Sequence, residues 1–91
     1  MHPYSIHKQP TTVLTEVSVR FKKLRKAQNM SQVELADRSG VSLGSLKRFE
    51  TTGKISLESL LKLAHLLDRL ADFDSLFLSE DLANLNRLFD K

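Results

Sequence analysis

Residues 31–42 carry two helix start signals with one glycine between them, and this spacing constrains the fold more than any other feature. Ser31 is a residue type that caps helix N-termini, and Glu34 three positions later completes a capping box. Gly40 follows nine residues after Ser31 and can adopt the left-handed C-cap conformation without steric cost. Ser42 then starts the next helix. Helices joined by so short a linker cross at a fixed angle, and we interpret the second as one displayed for insertion into a partner.

The flanking segments predict further helices. Apolar residues recur at three- and four-residue steps from Leu14 to Leu24, as on the buried face of an amphipathic helix, and a break follows at residues 28–30. Ser56 is the expected cap of a fourth helix and Ser79 that of a last one. The inward-facing residues expected on the second and fourth helices are Val33, Leu35, Ala36, Leu57, Leu60, Leu61, Ala64 and Leu67.

These signals predict an all-α fold of five or six helices, with a helix-turn-helix at about residues 31–52. Residues 1–12 hold both prolines and no helical period, so we expect a flexible N-terminal arm. Residues 13–91 form one domain, whose C-terminal helical segment at about 72–91 is the candidate dimer or partner segment.

The composition excludes several classes of protein. The chain has 91 residues and no cysteine, so disulfides and thiolate metal sites are absent and a reducing cytoplasm suits it. No apolar run approaches the ~20 residues of a membrane span. Three histidines, two of them in the arm, do not form a metal-ligand pattern, and no catalytic grouping is visible. We therefore expect no cofactor, no metal, no membrane contact and no enzymatic activity.

Charge is unevenly distributed along the chain. Residues 20–54 hold nine Lys and Arg against three acidic residues, whereas residues 55–91 hold four against seven. A basic half beside an acidic half suits a polyanion on one side and a protein partner on the other. Ordinary solvated helix surface explains the same charges, and composition alone does not separate these two interpretations.

The segment SQVELADRSGVSLGSLKRFETTG, with a helix on either side, resembles the lambda-repressor/Cro-type, or Xre, family of helix-turn-helix proteins. The resemblance covers about residues 17–70. It implies that Gly40-Val41-Ser42 forms the turn and that residues 46–50 lie in the recognition helix. It also implies double-stranded DNA as the partner, with the third helix in the major groove.

Several positions match those through which this family contacts DNA. Ser31 and Gln32 match the phosphate-binding start of the second helix, where free N–H groups favour an anion. Lys54 matches a position that often contacts phosphate. The exposed side of the recognition helix would comprise Ser42, Leu43, Gly44, Ser45, Lys47 and Arg48.

Leu43 and Gly44 depart from the family pattern, which commonly has amides or arginines early in this helix. Direct base readout then narrows to Arg48, Ser45 and Lys47, with DNA shape or dimer spacing as further sources of specificity. A flat surface for protein contact is the alternative at Leu43–Gly44, and a phosphate or Glu50 is the alternative partner of Arg48.

Arg25 and Glu50 match family positions that form an ion pair, here between the first helix and the end of the third. Two unrelated surface charges are the alternative interpretation. A buried pair would be evidence for a fixed orientation more than for stability.

The apolar C-terminal residues suggest either core closure or a surface for a partner. The family often dimerises through this region, so the resemblance implies a homodimer surface or partner surface made by Phe73, Phe77, Leu78, Leu82, Leu85 and Phe89.

The sequence therefore predicts a sequence-specific DNA-binding regulator, a repressor acting as a dimer. The C-terminal half is also similar to stand-alone, HipB-like antitoxins of the Xre type, which bind their own operator and a toxin protein. That antitoxin role is the alternative function.

Overall fold

The computed structural model describes residues 8–79 of the chain. These residues form four α-helices and one short 3-10 helix, and none of them lies in a β-strand. The elements are α1 (Pro10–Ala27), α2 (Gln32–Ser39), α3 (Leu43–Thr52), α4 (Leu57–Leu66) and the 3-10 helix Leu70–Phe73. The all-α class is confirmed, with a smaller helix count than expected over these residues. The last predicted helix, after Ser79, lies outside the described residues.

Helix α1 begins earlier than the sequence analysis expected. Its first residue is Pro10, so residues 10–12 are helical although they were assigned to the arm. Proline suits a first helical position, because its fixed φ is already helical and no N–H is lost there. The arm residues 1–7 lie outside the described part of the chain.

The predicted N-caps are present in α2, α3 and α4. The hydroxyls of Ser31, Ser42 and Ser56 each accept a hydrogen bond from the N–H three residues later, at 3.0, 3.1 and 3.0 Å. The capping box at α2 is only half formed, because the Glu34 carboxylate pairs with Arg38 at 3.1 Å. A surface i,i+4 ion pair competes for the same carboxylate.

Both C-terminal glycines of the motif have left-handed backbones. Gly40 ends α2 with φ 81°, as predicted, and Gly53 ends α3 with φ 82°. Gly53 has a second constraint, since a Cβ there would lie 2.6 Å from the backbone oxygen of Leu14. The end of α3 can therefore meet α1 at this distance only through a residue without a side chain.

The four α-helices share one core, in which α3 packs against α1 and α2, and α4 packs against α2. Its fully buried side chains are Leu35, Leu46, Phe49, Leu63 and Leu67. The rings of Phe21 and Phe49 meet edge to face with centroids 5.1 Å apart, an arrangement that aromatic pairs prefer. Val41 in the turn is also buried and closes the wedge between α2 and α3.

Three predicted core positions were wrong. Val33 and Leu57 are exposed, and Leu61 is only half-buried, while Leu63 was missed and is fully buried. A helix turns about 100° per residue, so the buried stripe that contains Leu63 and Leu67 leaves Leu57 and Leu61 turned away from the core. Leu57 and Leu61 instead share an outer surface with Leu70.

The described residues contain no helix that is both long and apolar enough to cross a membrane. They also contain no group of His, Cys, Asp or Glu arranged to hold a metal ion.

Candidate nucleic-acid interface

Helix α3 has one buried side and one exposed side. Leu46 and Phe49 fix the buried side in the core. The exposed side carries Ser45, Lys47 and Arg48, with Gly44 beside them. Rigid attachment of one side gives the other a defined position on the surface.

A buried ion pair connects the end of α3 to α1. Arg25 donates from Nε to Glu50 Oε2 at 2.7 Å and from Nη2 to Oε1 at 2.9 Å, a bidentate arrangement. The two side chains are 7% and 2% exposed, so the pair lies out of water. Arg25 also donates from Nη1 to the Met30 carbonyl at 2.8 Å. The hydrogen bond from Glu50 raises the pKa of Arg25 above its usual value, against the effect of burial.

Gln32 joins this pair at the start of α2. Its Nε2 donates to Glu50 Oε1 at 2.9 Å, so one carboxylate holds the orientations of α1, α2 and α3 together. The sequence predicts a phosphate contact for Gln32 and does not reveal this bond. Ser31, beside it, is exposed, and its hydroxyl caps α2.

The side chains at the start of α3 project little from the protein surface. The side chain of Leu43 is half-buried and packs against the core, so it does not stand out from the exposed side as expected. Ser42 and Ser45 are exposed, and the Ser42 hydroxyl donates to the Ser45 hydroxyl at 2.9 Å. Lys47 and Arg48 are the charged side chains that project from this helix.

Three cations on this surface have no carboxylate partner within residues 8–79. They are Lys47, Arg48 and Lys54. Glu50, the alternative partner considered for Arg48, has both carboxylate oxygens bonded to Arg25 and one of them also to Gln32. Within the described part of the chain, no carboxylate therefore pairs with the positive charge of this surface.

A shallow cleft of about 310 Å³ lies between α3 and the start of α4. Its lining residues are Ser45, Arg48, Lys54, Ile55, Ser56 and Ser59, none of them acidic. Thr52 shapes the adjoining backbone, since its hydroxyl donates to the Arg48 carbonyl at 2.7 Å and accepts from the Lys54 N–H at 3.1 Å. Ile55 and Ser59 were not predicted to line this cleft, although the cap at Ser56 is a signal for the same loop.

The candidate partner surface is only partly described. Phe73 is half-buried, while Phe77 and Leu78 are exposed, Phe77 by 94%. The other three residues predicted for this surface, Leu82, Leu85 and Phe89, lie outside the described residues.

A comparison with protein-family models decides the family. The model described as "Helix-turn-helix" matches residues 21–73, more than half of the chain. The protein belongs to the helix-turn-helix family of the Xre, or lambda-repressor, type. The match spans the turn at Gly40, all of α2 to α4 and the C-terminal part of α1 from residue 21.

The Xre-type assignment makes this chain a DNA-binding regulator, from a family of DNA-binding domains and not of enzymes. Comparisons with curated proteins and with solved structures gave no match.

Proposed function

We propose that this Xre-type protein is a sequence-specific repressor that binds its operator as a homodimer, with α3 in the major groove. Bound in this way, it would occlude a promoter and would perform no covalent chemistry. The observation that carries the proposal is the charge on α3: its one acidic residue, Glu50, is buried against Arg25, while Lys47 and Arg48 face solvent.

Arg48 is the proposed base-reading residue. Among the exposed side chains of α3, only its guanidinium can donate two parallel hydrogen bonds to one base edge, and guanine O6 and N7 are the natural acceptors. The engagement of Glu50 by Arg25 and Gln32 favours this role over pairing with Glu50.

Contacts to the DNA backbone are proposed for the residues around α3. Lys47 and Lys54 would neutralise phosphates without reading sequence. The exposed hydroxyls of Ser42 and Ser45 would add to these contacts, and Ser31 and Gln32 would meet a phosphate at the start of α2. Leu43 would touch at most the groove wall or a thymine methyl group.

The exposed C-terminal residues favour a second candidate function. Phe77 and Leu78 leave apolar surface uncovered within the described residues. An antitoxin that binds a toxin protein and represses its own operon would use such a surface for the toxin, whereas a plain repressor would use it for a second copy. Co-expression with the protein encoded by the neighbouring gene separates the two, because only an antitoxin forms a stoichiometric complex with it.

The salt dependence of DNA binding tests the proposal. The logarithm of the affinity for duplex DNA should fall linearly with the logarithm of salt concentration, with a slope of about 0.9 per neutralised phosphate. A titration between about 50 and 200 mM salt measures this slope. An affinity independent of salt would contradict DNA binding by this surface.

Selection of binding sites from random duplexes tests the roles within α3. The wild type should select an inverted repeat with half-sites about 34 Å apart, one helical turn. Arg48→Ala should relax preference at one base pair per half-site, and Lys47→Ala should weaken all sequences about equally. Arg38→Ala, on α2 and paired with Glu34, is the matched control and should change neither. If Arg48→Ala lowers affinity but selects the same sequence, its base-reading role is wrong.

A further inference from the structure

The structure explains why glycine occupies two of the three glycine positions of this chain, but not the third. Gly40 and Gly53 hold left-handed backbones, and Gly53 also abuts Leu14. Gly44 is the second residue of α3 and has a negative φ, and beyond its neighbours in the helix a Cβ added there would meet no atom of the described residues within 4 Å. Neither the backbone nor the packing of the described fold requires glycine at position 44.

Glycine in a helix has an energetic cost compared with alanine. It loses more backbone freedom on folding and contributes no side-chain contacts. A common reason to place it on a surface is the close approach of a ligand to the backbone. At Gly44, which is exposed and lies on the outward side of α3, that ligand would come from outside the described residues.

The surroundings of Gly44 favour DNA as that ligand. Leu43 before it packs against the core, and the hydroxyl of Ser45 after it is bonded to that of Ser42, so the surface at residues 42–45 is low. One turn further along, Arg48 projects into solvent with no carboxylate partner among residues 8–79. A low surface with a cation behind it can approach base edges closely while the cation reaches an acceptor.

We infer that Gly44 is a specificity-determining residue, whose missing side chain lets α3 sit deep enough in the major groove for Arg48 to reach a base. A side chain at position 44 would contact the base edges first and hold the helix away from them. This inference rests on the proposed function. It adds a residue that has no side chain with which to donate or accept a hydrogen bond to DNA.

Gly44→Ala and the larger Gly44→Leu test the inference. Alanine should raise the melting temperature by roughly 2–6 °C, because helix propensity improves and no atom is in the way. The same variant should bind the selected operator about tenfold more weakly, and Gly44→Leu more weakly still. Affinity for a random duplex should change by less than about twofold, because phosphate contacts dominate that binding. A more stable protein with lower specific affinity is not explained by loss of folded protein.

The outcomes separate this inference from the function it rests on. If the wild type binds no duplex, the proposed function fails and the inference fails with it. If the wild type binds its operator and Gly44→Ala binds it equally well, the inference alone is overturned. The inference is also overturned if alanine lowers the melting temperature, or if operator and random duplex lose affinity to the same extent.

Discussion

Aromatic residues occur both in the helix-turn-helix region and at the C-terminal end of the described chain, but they are buried to different extents in the two regions. Phe49 in α3 is 1% exposed, whereas Phe77 is 94% exposed. Around Phe49, α1 and α2 both pack against α3, with Phe21 in direct ring contact. Among the described residues, the 3-10 helix before Phe77 packs mainly against α4. An apolar pattern in the sequence indicates which side chains favour burial. Whether such a side chain is buried depends on the elements that pack around it.

If the helix-turn-helix region is well packed and the C-terminal region is not, the largest loss of stability is expected from a change at the buried Arg25–Glu50 pair. Arg25→Ala leaves the Glu50 carboxylate buried with Gln32 as its one remaining side-chain donor among the described residues, so the free energy of unfolding should fall by about 3–5 kcal/mol. Urea denaturation followed by circular dichroism measures this loss.

Two further variants separate burial from charge at this site. Arg25→Met combined with Glu50→Leu removes both charges and should recover much of the stability, as replacements of buried pairs often do. Arg38→Ala, which breaks the exposed pair with Glu34, should change stability by less than about 1 kcal/mol. Equal losses for Arg25→Ala and Arg38→Ala would show that the Arg25 site is not buried in solution.

An intermediate effect is expected where α3 ends against α1. Gly53→Ala should lower the free energy of unfolding by more than about 2 kcal/mol, since it combines backbone strain with a clash at Leu14. Gly40→Ala is the matched control, because its φ is nearly the same and its Cβ would meet nothing, so only about 1 kcal/mol should be lost. The larger, β-branched Gly40→Val should lose at least as much. Thermal unfolding of the three variants tests this order, and a Gly53→Ala protein as stable as Gly40→Ala would contradict the close approach to Leu14.

The smallest effect on stability is expected in the C-terminal region. Changing Phe77 and Leu78 to glutamate should alter the unfolding free energy of the monomer by less than about 0.5 kcal/mol, because both side chains are exposed. The same variant should sediment as a folded monomer and bind its operator much more weakly, if these residues hold the proposed dimer. A double variant that remains dimeric would place the dimer surface elsewhere.

Much of the helix-turn-helix was predictable because its signals are local. Ser31, Ser42 and Ser56 each cap a helix through an N–H three residues away, and Gly40 adopts the backbone that its position required. Burial was less predictable along α4, where Leu57 is exposed and Leu63 is buried. The start of α1 also differed, because the sequence pattern gave no apolar repeat before Leu14 although proline suits a first turn.

The sequence by itself determined the all-α class, the helix caps, the turn at Gly40 and the basic stretch around α3, because these depend on composition or on residues within one helical turn. The family resemblance implied the Arg25–Glu50 pair, but only the tertiary structure decided that the pair is buried and that Glu50 also accepts from Gln32. The tertiary structure also decided that Gly53 touches Leu14 and that Arg48 has no carboxylate partner among residues 8–79. Arg25 and Glu50 are 25 residues apart, and Gln32 and Glu50 are 18 apart. Contacts over such separations depend on how whole helices pack, and a pattern read along the chain does not contain that information.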